Sequence, residues 1–296
     1  MDSRALFYQD SHLCHFTAQV TQCRPAAGGW AVCLDQTAFY PEGGGQPWDL
    51  GSLADAQVLA VEERDGVIVH RRDRPLPVGQ TVAGQIDWPR RFDLMQQHSG
   101  EHMLSGLIHS RYGFHNVGFH MGAGVTTIDF DGVIPQEDLP GLEAAVNEAI
   151  WRDLPVKTWF AQGRELEGLP YRSKRPLEGL VRLVEFPGLD LCACCGTHVV
   201  RTGEIGLLKL LSWSRFHQGV DGDGLWPPGA GLPLPGVCPE PYGGSDLLRQ
   251  AAGDRRCRPA RRRGPGGCQG PGGWPGGPLL CRHGGFPGRG RGCDPL

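Results

Sequence analysis

The sequence predicts an α+β protein, in which a small N-terminal β-barrel is followed by a domain of helices packed on a sheet. Three observations support this prediction. Residues 1–86 contain short β-type runs separated by turn residues, residues 87–212 contain two amphipathic helical patterns with strands between them, and residues 213–296 have the composition of a low-complexity tail. At 296 residues, the chain is long enough for two domains with ordinary apolar cores.

Five runs in the first region have the lengths and residue types of β-strands. Turn-forming stretches rich in Pro and Gly separate them. The runs are Cys14–Thr21, Trp30–Leu34, Gln57–Val61, Gly66–His70 and Gln80–Ile86. Short strands at regular spacing, with turn chemistry between them, are typical of a small β-barrel.

A glycine triplet, Gly43-Gly44-Gly45, interrupts the barrel region and is followed by Gln46. No side chain crowds such a loop, so its backbone amides could approach a phosphate or a ribose. Glycine triplets are more often plain flexible turns. Only the flanking residues, Tyr40-Pro41-Glu42 before the triplet and Gln46-Pro47 after it, distinguish it from such a turn.

The pattern changes from strand to helix at Asp87, which is a typical N-cap residue. Pro89 would lie in the first helical turn, where its missing N–H costs nothing. The helix should run to about Arg111 and stop near Gly113. Beyond it, the pattern predicts a second helix at Glu137–Arg152 and strands at Val125–Phe130, Val156–Ala161, Leu180–Phe186 and Ile205–Leu211.

Two short clusters place metal-competent side chains four residues apart: His98-Ser-Gly-Glu-His102 and Cys194-Cys-Gly-Thr-His198. The first lies on the predicted helix, where this spacing puts both imidazoles on one face. The second lies in a predicted loop after an apolar run. Three nitrogens and one sulfur suit a tetrahedral Zn2+. The sequence therefore predicts one zinc ion per chain, held by His98, His102, Cys194 and His198.

Each half of this site also has a simpler explanation. A pair of His residues four apart is common on amphipathic helices that bind no metal. Cys192 or Cys195 could replace Cys194 as the thiolate, or could be ordinary packed thiols. His115 and His120 are further candidate ligands, but four residues already fill a tetrahedral shell, which favours a surface or pocket-lining position for both.

Charge is divided unevenly along the chain. Residues 213–296 hold 11 Arg, no Lys and six acidic residues, for a net charge of +5, which leaves -8 on the first 212 residues. An acidic body is not a general nucleic-acid binder, so RNA contact needs a local basic strip, for which Arg90-Arg91 and Arg172 to Arg175 are the candidates.

No apolar stretch reaches membrane-spanning length, and eleven Cys without a secretion signal favour free thiols or metal ligands. We therefore expect a soluble, cytoplasmic protein with no membrane partner.

Four stretches occur in a characteristic order along the chain. They are Phe39-Tyr-Pro-Glu-Gly-Gly-Gly-Gln-Pro47, Asp87-Trp-Pro-Arg-Arg-Phe-Asp-Leu-Met-Gln-Gln-His-Ser-Gly-Glu-His102, Thr127-Ile-Asp-Phe130, and Cys194-Cys-Gly-Thr-His198 with Thr202-Gly-Glu-Ile-Gly206. Together they resemble the motifs of the freestanding alanyl-tRNA editing proteins, the AlaX family, which are relatives of the editing domain of alanyl-tRNA synthetase. The resemblance covers residues 5 to about 212 and implies an N-terminal barrel, in agreement with the strand pattern.

The resemblance implies a zinc-dependent aminoacyl-tRNA deacylase. Its partner would be the acceptor end of tRNA(Ala) that carries a wrong amino acid, chiefly serine, with glycine as a second candidate. The alanine pocket of a synthetase cannot strongly exclude serine, which explains the need for a separate editing site. By the same resemblance, the substrate-binding candidates are Gly43, Gly44, Gly45, Gln46, Asn116, Asp129, Arg182 and Thr197.

The sequence assigns no certain catalytic residue. No Ser-His-Asp arrangement is visible, and Cys194 serves better as a ligand than as a nucleophile. A zinc ion could polarise the ester carbonyl, lower the pKa of a bound water or hold the aminoacyl group, and the sequence does not separate these roles. Glu101 is a candidate general base, and a solvated helix residue is the simpler interpretation.

Two other functions fit the same motifs. A non-catalytic, zinc-stabilised RNA-binding module would keep the ligands without deacylation. An editing protein of the threonyl-tRNA synthetase type would share the metal motif. The Gly-Gly-Gly-Gln motif favours the alanine system over the threonyl type.

We interpret the residues after about Val220 as the product of an out-of-frame reading. Residues 213–296 hold 22 Gly, 13 Pro and 5 Cys, a composition that predicts disorder. Shifting the frame forward by one base from Asp221 yields, with permitted codons, a strand-like alternation, a turn and a helix-like pattern. The alternative is an Arg-Gly-rich RNA-binding tail, favoured by Arg261-Arg262-Arg263.

Overall fold

Eight short strands form from the N-terminal third of the chain. The computed structural model describes residues 4–122, 124–174, 177–214 and 234–235. The first strands are β1 (Arg4–Ala5), β2 (His15–Ala26), β3 (Gly29–Leu34), β4 (Gln36–Thr37), β5 (Gly51–Leu53), β6 (Ala56–Arg64), β7 (Val67–Arg72) and β8 (Thr81–Ile86). Along β2, Phe16, Ala18 and Val20 are buried while the residues between them are exposed, as the two-residue period of a strand requires.

Six of these strands close into a barrel. Their order is β2-β3-β7-β6-β5-β8, and β8 pairs back onto β2, so that every neighbouring pair is antiparallel. All five strands expected from the sequence are present, and the prediction of a barrel is confirmed. Strand β5 was not predicted, because three residues are too few to show a period.

One long helix, α1 (Trp88–Tyr112), follows the barrel directly. Asp87 caps it by accepting a hydrogen bond from the Arg90 amide, and Pro89 lies in its first turn. Gly113 ends the helix in the left-handed conformation, at a φ of 74°. The predicted boundaries of this helix are confirmed.

A buried ion pair fixes the start of α1 to the barrel. Arg91 is 1% exposed, donates to both carboxylate oxygens of Asp49, and donates further to the Ser11 carbonyl at 3.0 Å and to the Ala38 carbonyl at 2.6 Å. These bonds offset the cost of removing two charges from water. Arg91 is therefore unavailable to an RNA phosphate, and its assignment to a basic RNA-binding strip is wrong.

In the second region, which begins with α1, helices pack on two three-stranded sheets. Its elements are β9 (Asn116–Met121), β10 (Val125–Phe130), α2 (Leu139–Trp151), β11 (Lys157–Ala161), β12 (Val181–Phe186), β13 (Asp190–Ala193) and β14 (Leu234–Pro235). The sheets have the orders β14-β10-β9 and β11-β12-β13. Buried apolar side chains of α1, α2 and β12, including Leu104, Leu142 and Phe186, share one core. The mixed α+β class is confirmed.

The strand predicted at Ile205–Leu211 does not form. Thr202–Ile205 is a 3-10 turn, and residues 206–214 have no regular secondary structure. The backbone of Leu208 pairs with the Asn147 side chain of α2, which donates to its carbonyl and accepts from its amide, both at 2.8 Å. A side chain thus satisfies backbone groups that a neighbouring strand would otherwise satisfy.

Strands β9 and β13 were also missed. In β9, Gly118 and His120 dilute the apolar pattern, and β13 is only four residues long. No helix in the described ranges is both long and apolar enough to cross a membrane. The predicted frameshifted tail from about residue 221 lies outside the described residues, apart from the short strand β14.

Candidate metal centre

Helix α1 and the loop after β13 bring the four predicted ligands together. His98 and His102 lie one turn apart on α1, and Cys194 and His198 lie on the loop. One ligand atom from each residue lies within 4.8 Å of the others. The Cys194 sulfur is 3.4 Å from Nε2 of His98 and 3.4 Å from Nε2 of His198. Two segments that are distant in sequence therefore form one compact donor set.

A separate outer partner contacts Nδ1 of each histidine. Nδ1 of His98 lies 2.9 Å from Oε1 of Gln46, and Nδ1 of His102 lies 2.9 Å from a carboxylate oxygen of Asp190. Nδ1 of His198 lies 3.2 Å from the Ser99 hydroxyl. Fixing one ring nitrogen orients the imidazole and leaves Nε2 toward the centre, which is the usual arrangement around a protein-bound metal.

Gln46 connects the glycine triplet of the barrel to this centre. Gly43 and Gln46 close a tight turn through two backbone hydrogen bonds, of 2.9 and 3.1 Å. The Gln46 side chain donates to the Thr197 hydroxyl at 2.7 Å and accepts from the Thr197 amide at 3.1 Å. Because Oε1 is thus an acceptor, Nδ1 of His98 must donate to it, and Nε2 of His98 keeps its lone pair. Gln46 and Thr197 were predicted to bind substrate. Both are instead fully buried, and Gln46 orients the ligand His98 while it is bonded to Thr197.

Asp190 and Arg172 fix the second histidine in the same way. The Asp190 carboxylate accepts from His102 and from two nitrogens of Arg172, at 2.7 and 2.8 Å. Burial raises the pKa of Asp190, but these two partners hold it below its usual value. Asp190 therefore stays ionised. Arg172 is committed to it, which removes Arg172 from the predicted basic strip; Arg175 lies outside the described residues.

The electrostatics of the centre favour a thiolate. Burial alone raises the pKa of Cys194, but His98, His102 and His198 around it hold the pKa well below its usual value. Burial lowers the pKa of His102, while the Cys194 thiolate and Asp190 hold it well above the ordinary value. A thiolate surrounded by three imidazoles has the donor chemistry of a tetrahedral Zn2+ site. The residues present therefore fit the ion.

The structure separates the alternative ligands from the four-residue donor set. Cys195 is an exposed residue outside the set, and Cys192 lies with His102 and Asp190 in a second group that shares His102 with the first. His115, just before β9, and His120, on β9, are both exposed, as expected. The structure thus groups Cys194, and not its two neighbours, with the three histidines.

Glu101 is not the solvated helix residue that the sequence suggested. It is only 5% exposed, and its Oε1 accepts from the Ser105 hydroxyl at 2.6 Å and from the Asn116 side-chain amide. Its Oε2 lies 3.9 Å from Nε2 of His102. The solvated interpretation failed because β9, which was not predicted, covers this face of α1.

Two of the remaining substrate-binding candidates, Gly44 and Gly45, lie in the glycine turn before Gln46. Gly44 has a φ of +61°, and a side chain there would enter open space. Gly45 has a φ of +86°, and a Cβ there would lie 2.8 Å from the ring of Phe119, which itself lies beside His98. Only glycine fits Gly45 without strain.

Arg182 and Asp129 lie on two different sheets. Arg182 is 6% exposed and donates from Nη1 to the carbonyls of Cys194 and Gly196, both at 2.8 Å, so it fixes the ligand loop. Asp129 on β10 packs against Gly118 on β9, and burial raises its pKa although Lys174 lowers it. Ser99 and Asp190, which contact ligand histidines, and Arg172, which contacts Asp190, were missed as site residues, because no local pattern shows these contacts.

Comparisons with known proteins place both regions among tRNA synthetases. Residues 181–221 match the family model described as the threonyl and alanyl tRNA synthetase second additional domain, and residues 6–90 match the model of class II (A) tRNA synthetases. The chain is 35% identical over 230 residues to the alanine–tRNA ligase of Ignicoccus hospitalis, covering 74% of this chain and 25% of that protein. It is 34% identical over 228 residues to the alanyl-tRNA editing protein Aarsd1 of Bos taurus, covering 70% of this chain and 50% of that protein.

The mouse Aarsd1 protein gives a similar result, with 33% identity over 231 residues, 71% of this chain and 55% of that protein. The chain therefore spans about half the length of these editing proteins and a quarter of the ligases.

Proposed function

We propose, because the chain belongs to the alanyl-tRNA editing family, that it hydrolyses the ester bond of tRNA(Ala) mischarged with serine. The observation that supports this proposal best is the donor set of His98, His102, Cys194 and His198, with three buried imidazoles that each have an outer partner. Such a set is built to hold an ion in one geometry.

The four residues would hold one Zn2+. With all four ligands bound, no position would remain for a water, so the ion would position the aminoacyl group or would exchange one ligand for the ester carbonyl or a water. The protein's own residues do the rest. Gln46 and Asp190 keep Nε2 of His98 and His102 directed inward, and Arg182 holds the loop that carries the thiolate.

The glycine turn would admit the 3′ end of the tRNA. A side chain at Gly44 would project into open space, so an approaching ribose or phosphate meets backbone only. The same turn carries Gln46, whose side chain reaches His98. The turn would therefore place the aminoacyl ester beside the ligands.

Serine is the proposed amino acid because an alanine-specific pocket cannot strongly exclude an added hydroxyl. An editing site that hydrogen-bonds this hydroxyl would spare alanine, whose methyl group leaves buried polar groups unpaired. The family match to threonyl as well as alanyl synthetases keeps Ser-tRNA(Thr) as the second substrate to compare.

A parallel deacylation assay tests the proposal. The zinc-loaded full chain is incubated with Ser-, Gly- and Ala-tRNA(Ala) and with Ser-tRNA(Thr), and the remaining ester is measured over time. We expect rapid loss of Ser-tRNA(Ala), slower loss of Gly-tRNA(Ala) and protection of Ala-tRNA(Ala). Binding of tRNA without hydrolysis of any ester would instead indicate a non-catalytic module.

A further inference from the structure

The segment between the 3-10 turn Leu6–Tyr8 and β2 reaches the ligand loop. The Ser11 hydroxyl donates to the backbone carbonyl of the ligand His198 at 2.8 Å. Ser11 is itself fixed, because its carbonyl accepts from Arg91, whose guanidinium is paired with Asp49. A chain of hydrogen bonds therefore runs from the buried ion pair at the start of α1 to the backbone of a metal ligand.

The neighbouring residue, His12, extends this contact to the motif Thr202-Gly-Glu-Ile-Gly206. Nε2 of His12 lies 3.0 Å from Oε2 of Glu204, and because a carboxylate only accepts hydrogen bonds, His12 is the donor. The same oxygen accepts from the Val200 amide at 3.2 Å, and the Glu204 carbonyl accepts from the Gln96 side chain of α1 at 2.7 Å. Glu204 therefore joins the N-terminal segment, α1 and the end of the ligand loop.

Three consecutive residues of the ligand loop are thus held through their backbone groups by side chains from three different segments. The bonds are those of Ser11 with the His198 carbonyl, of Ser99 with the Val199 amide and of Glu204 with the Val200 amide. The Val200 carbonyl adds a further bond, which it accepts from the Val156 amide at 2.9 Å. Together these bonds fix the loop from the carbonyl of His198 onward.

His198 depends on such support more than the other two ligand histidines do. His98 and His102 lie on α1, whose own hydrogen bonds fix their backbone, whereas His198 lies on a loop without regular secondary structure. Its outer partner is also more distant. The Ser99 hydroxyl lies 3.2 Å from Nδ1 of His198, compared with 2.9 Å for the partners of the other two rings. The direction of the His198 ring is therefore set largely by the backbone that carries it.

We infer that Ser11 and Glu204 are positioning residues for the ligand His198; this inference rests on the proposed function. Neither residue belongs to the donor set. Ser11 holds the carbonyl of His198 and Glu204 holds the amide two residues later, so together they set the direction in which the His198 side chain leaves the backbone. Without either contact, the loop is free to shift, and Nε2 of His198 no longer converges with the other three donors.

Metal binding without tRNA tests the role of Ser11. The full chain and its variants are titrated with Zn2+ against a chelator, and with Co2+, whose visible absorption reports how many ligands hold the ion. Ser11→Ala should weaken zinc binding by about 10-fold and lower the intensity of the cobalt bands. Ser11→Thr keeps the hydroxyl and should stay within about threefold of wild type. Ser110→Ala, at an exposed position of α1, is the matched control and should equal wild type.

A parallel set of variants tests Glu204. Glu204→Leu should also weaken zinc binding by about 10-fold, because the Val200 amide and the His12 ring lose their acceptor. Glu204→Gln keeps an acceptor oxygen for Val200 and should recover most of this loss. Glu148→Leu, at an exposed position of α2, is the matched control and should bind zinc as the wild type does.

These measurements separate positioning from a purely structural role. A lower free energy of unfolding in Ser11→Ala and Glu204→Leu, with wild-type zinc affinity and cobalt spectra, would overturn the inference. Equal losses of zinc affinity in Ser11→Ala and Ser11→Thr would also overturn it, since the hydroxyl would then not be the group that acts. A chain that shows the expected differences in metal binding but hydrolyses no ester would overturn the proposed function and support the positioning role.

Discussion

The barrel and the metal centre both bury histidines, but they use them in opposite ways. His70 lies inside the barrel with no exposed surface; its Nε2 is 2.8 Å from the Thr37 hydroxyl, and its Nδ1 is 3.1 Å from the Val32 carbonyl. Both ring nitrogens are therefore committed to the protein. At the metal centre, His98, His102 and His198 each commit only Nδ1 to an outer partner, and their other nitrogens converge. The number of ring nitrogens left without a partner, rather than burial, distinguishes a ligand from a core residue.

The origin of the partners differs as well. Both partners of His70 come from the N-terminal strands: Val32 lies on β3 of the barrel and Thr37 on β4, outside it. The outer partners of the metal centre come from the barrel turn, from α1 and from β13, namely Gln46, Ser99 and Asp190. The metal centre therefore depends on the N-terminal strands and the second region at once, whereas the partners of His70 come from the N-terminal strands alone.

The largest effect should come from removing the thiolate. Cys194→Ala should weaken zinc binding by about 100- to 1,000-fold, because a four-ligand site distributes its binding free energy over all its ligands. Elemental analysis and competition with a chelator measure this change. Cys195→Ala, at the neighbouring exposed position, should keep one zinc per chain. Undiminished zinc in Cys194→Ala would mean that Cys192 or Cys195, and not Cys194, is the thiolate ligand.

The next effect should come from His70 and should depend on pH. Burial lowers the pKa of His70 from 6.5 to about 4, although its hydrogen bond to Val32 raises it. As the pH falls, the unfolded chain takes up the proton first, so stability that is fully present above pH 6.5 is lost progressively down to pH 4. The loss amounts to about 3 kcal/mol in the free energy of unfolding.

Replacement of His70 by glutamine should remove this part of the pH dependence. Urea unfolding at pH values from 4 to 7 measures it as the difference in slope between wild type and His70→Gln. His15→Gln changes an exposed histidine of β2 in the same way and should retain the wild-type slope. Parallel slopes in wild type and His70→Gln would mean that folding leaves the pKa of His70 unchanged, contrary to the effect of burial.

The same comparison explains what the sequence could predict. Residue spacing along one element was sufficient for α1 with its cap at Asp87, and for the pairing of His98 with His102 on one face. Contacts between distant elements were not predictable. The sequence therefore missed the burial of Glu101 under β9, the use of Arg91 in an internal ion pair, and the outer partners of the histidines.

A smaller effect should come from the outer partner of His98. Gln46→Leu keeps the approximate size of the side chain but removes the acceptor for Nδ1, so zinc affinity should fall by about 10- to 100-fold. Gln57→Leu, at an exposed position of β6, is the matched control and should bind zinc normally. Unchanged zinc affinity in Gln46→Leu together with lost deacylation would mean that the glycine turn acts only on the tRNA.

The smallest effect should come from His115, which distinguishes a surface histidine from both buried classes. Its ring is exposed, and its Nδ1 lies 3.1 Å from a carboxylate oxygen of Asp131. Neither ring nitrogen of His115 belongs to the ligand set. His115→Ala should therefore keep one zinc per chain and change the free energy of unfolding by less than about 0.5 kcal/mol, because exposed ion pairs contribute little. Zinc content and urea unfolding, measured beside His102→Ala, provide the check. A loss of zinc in His115→Ala comparable to that in His102→Ala would show that exposure does not separate surface histidines from ligands here.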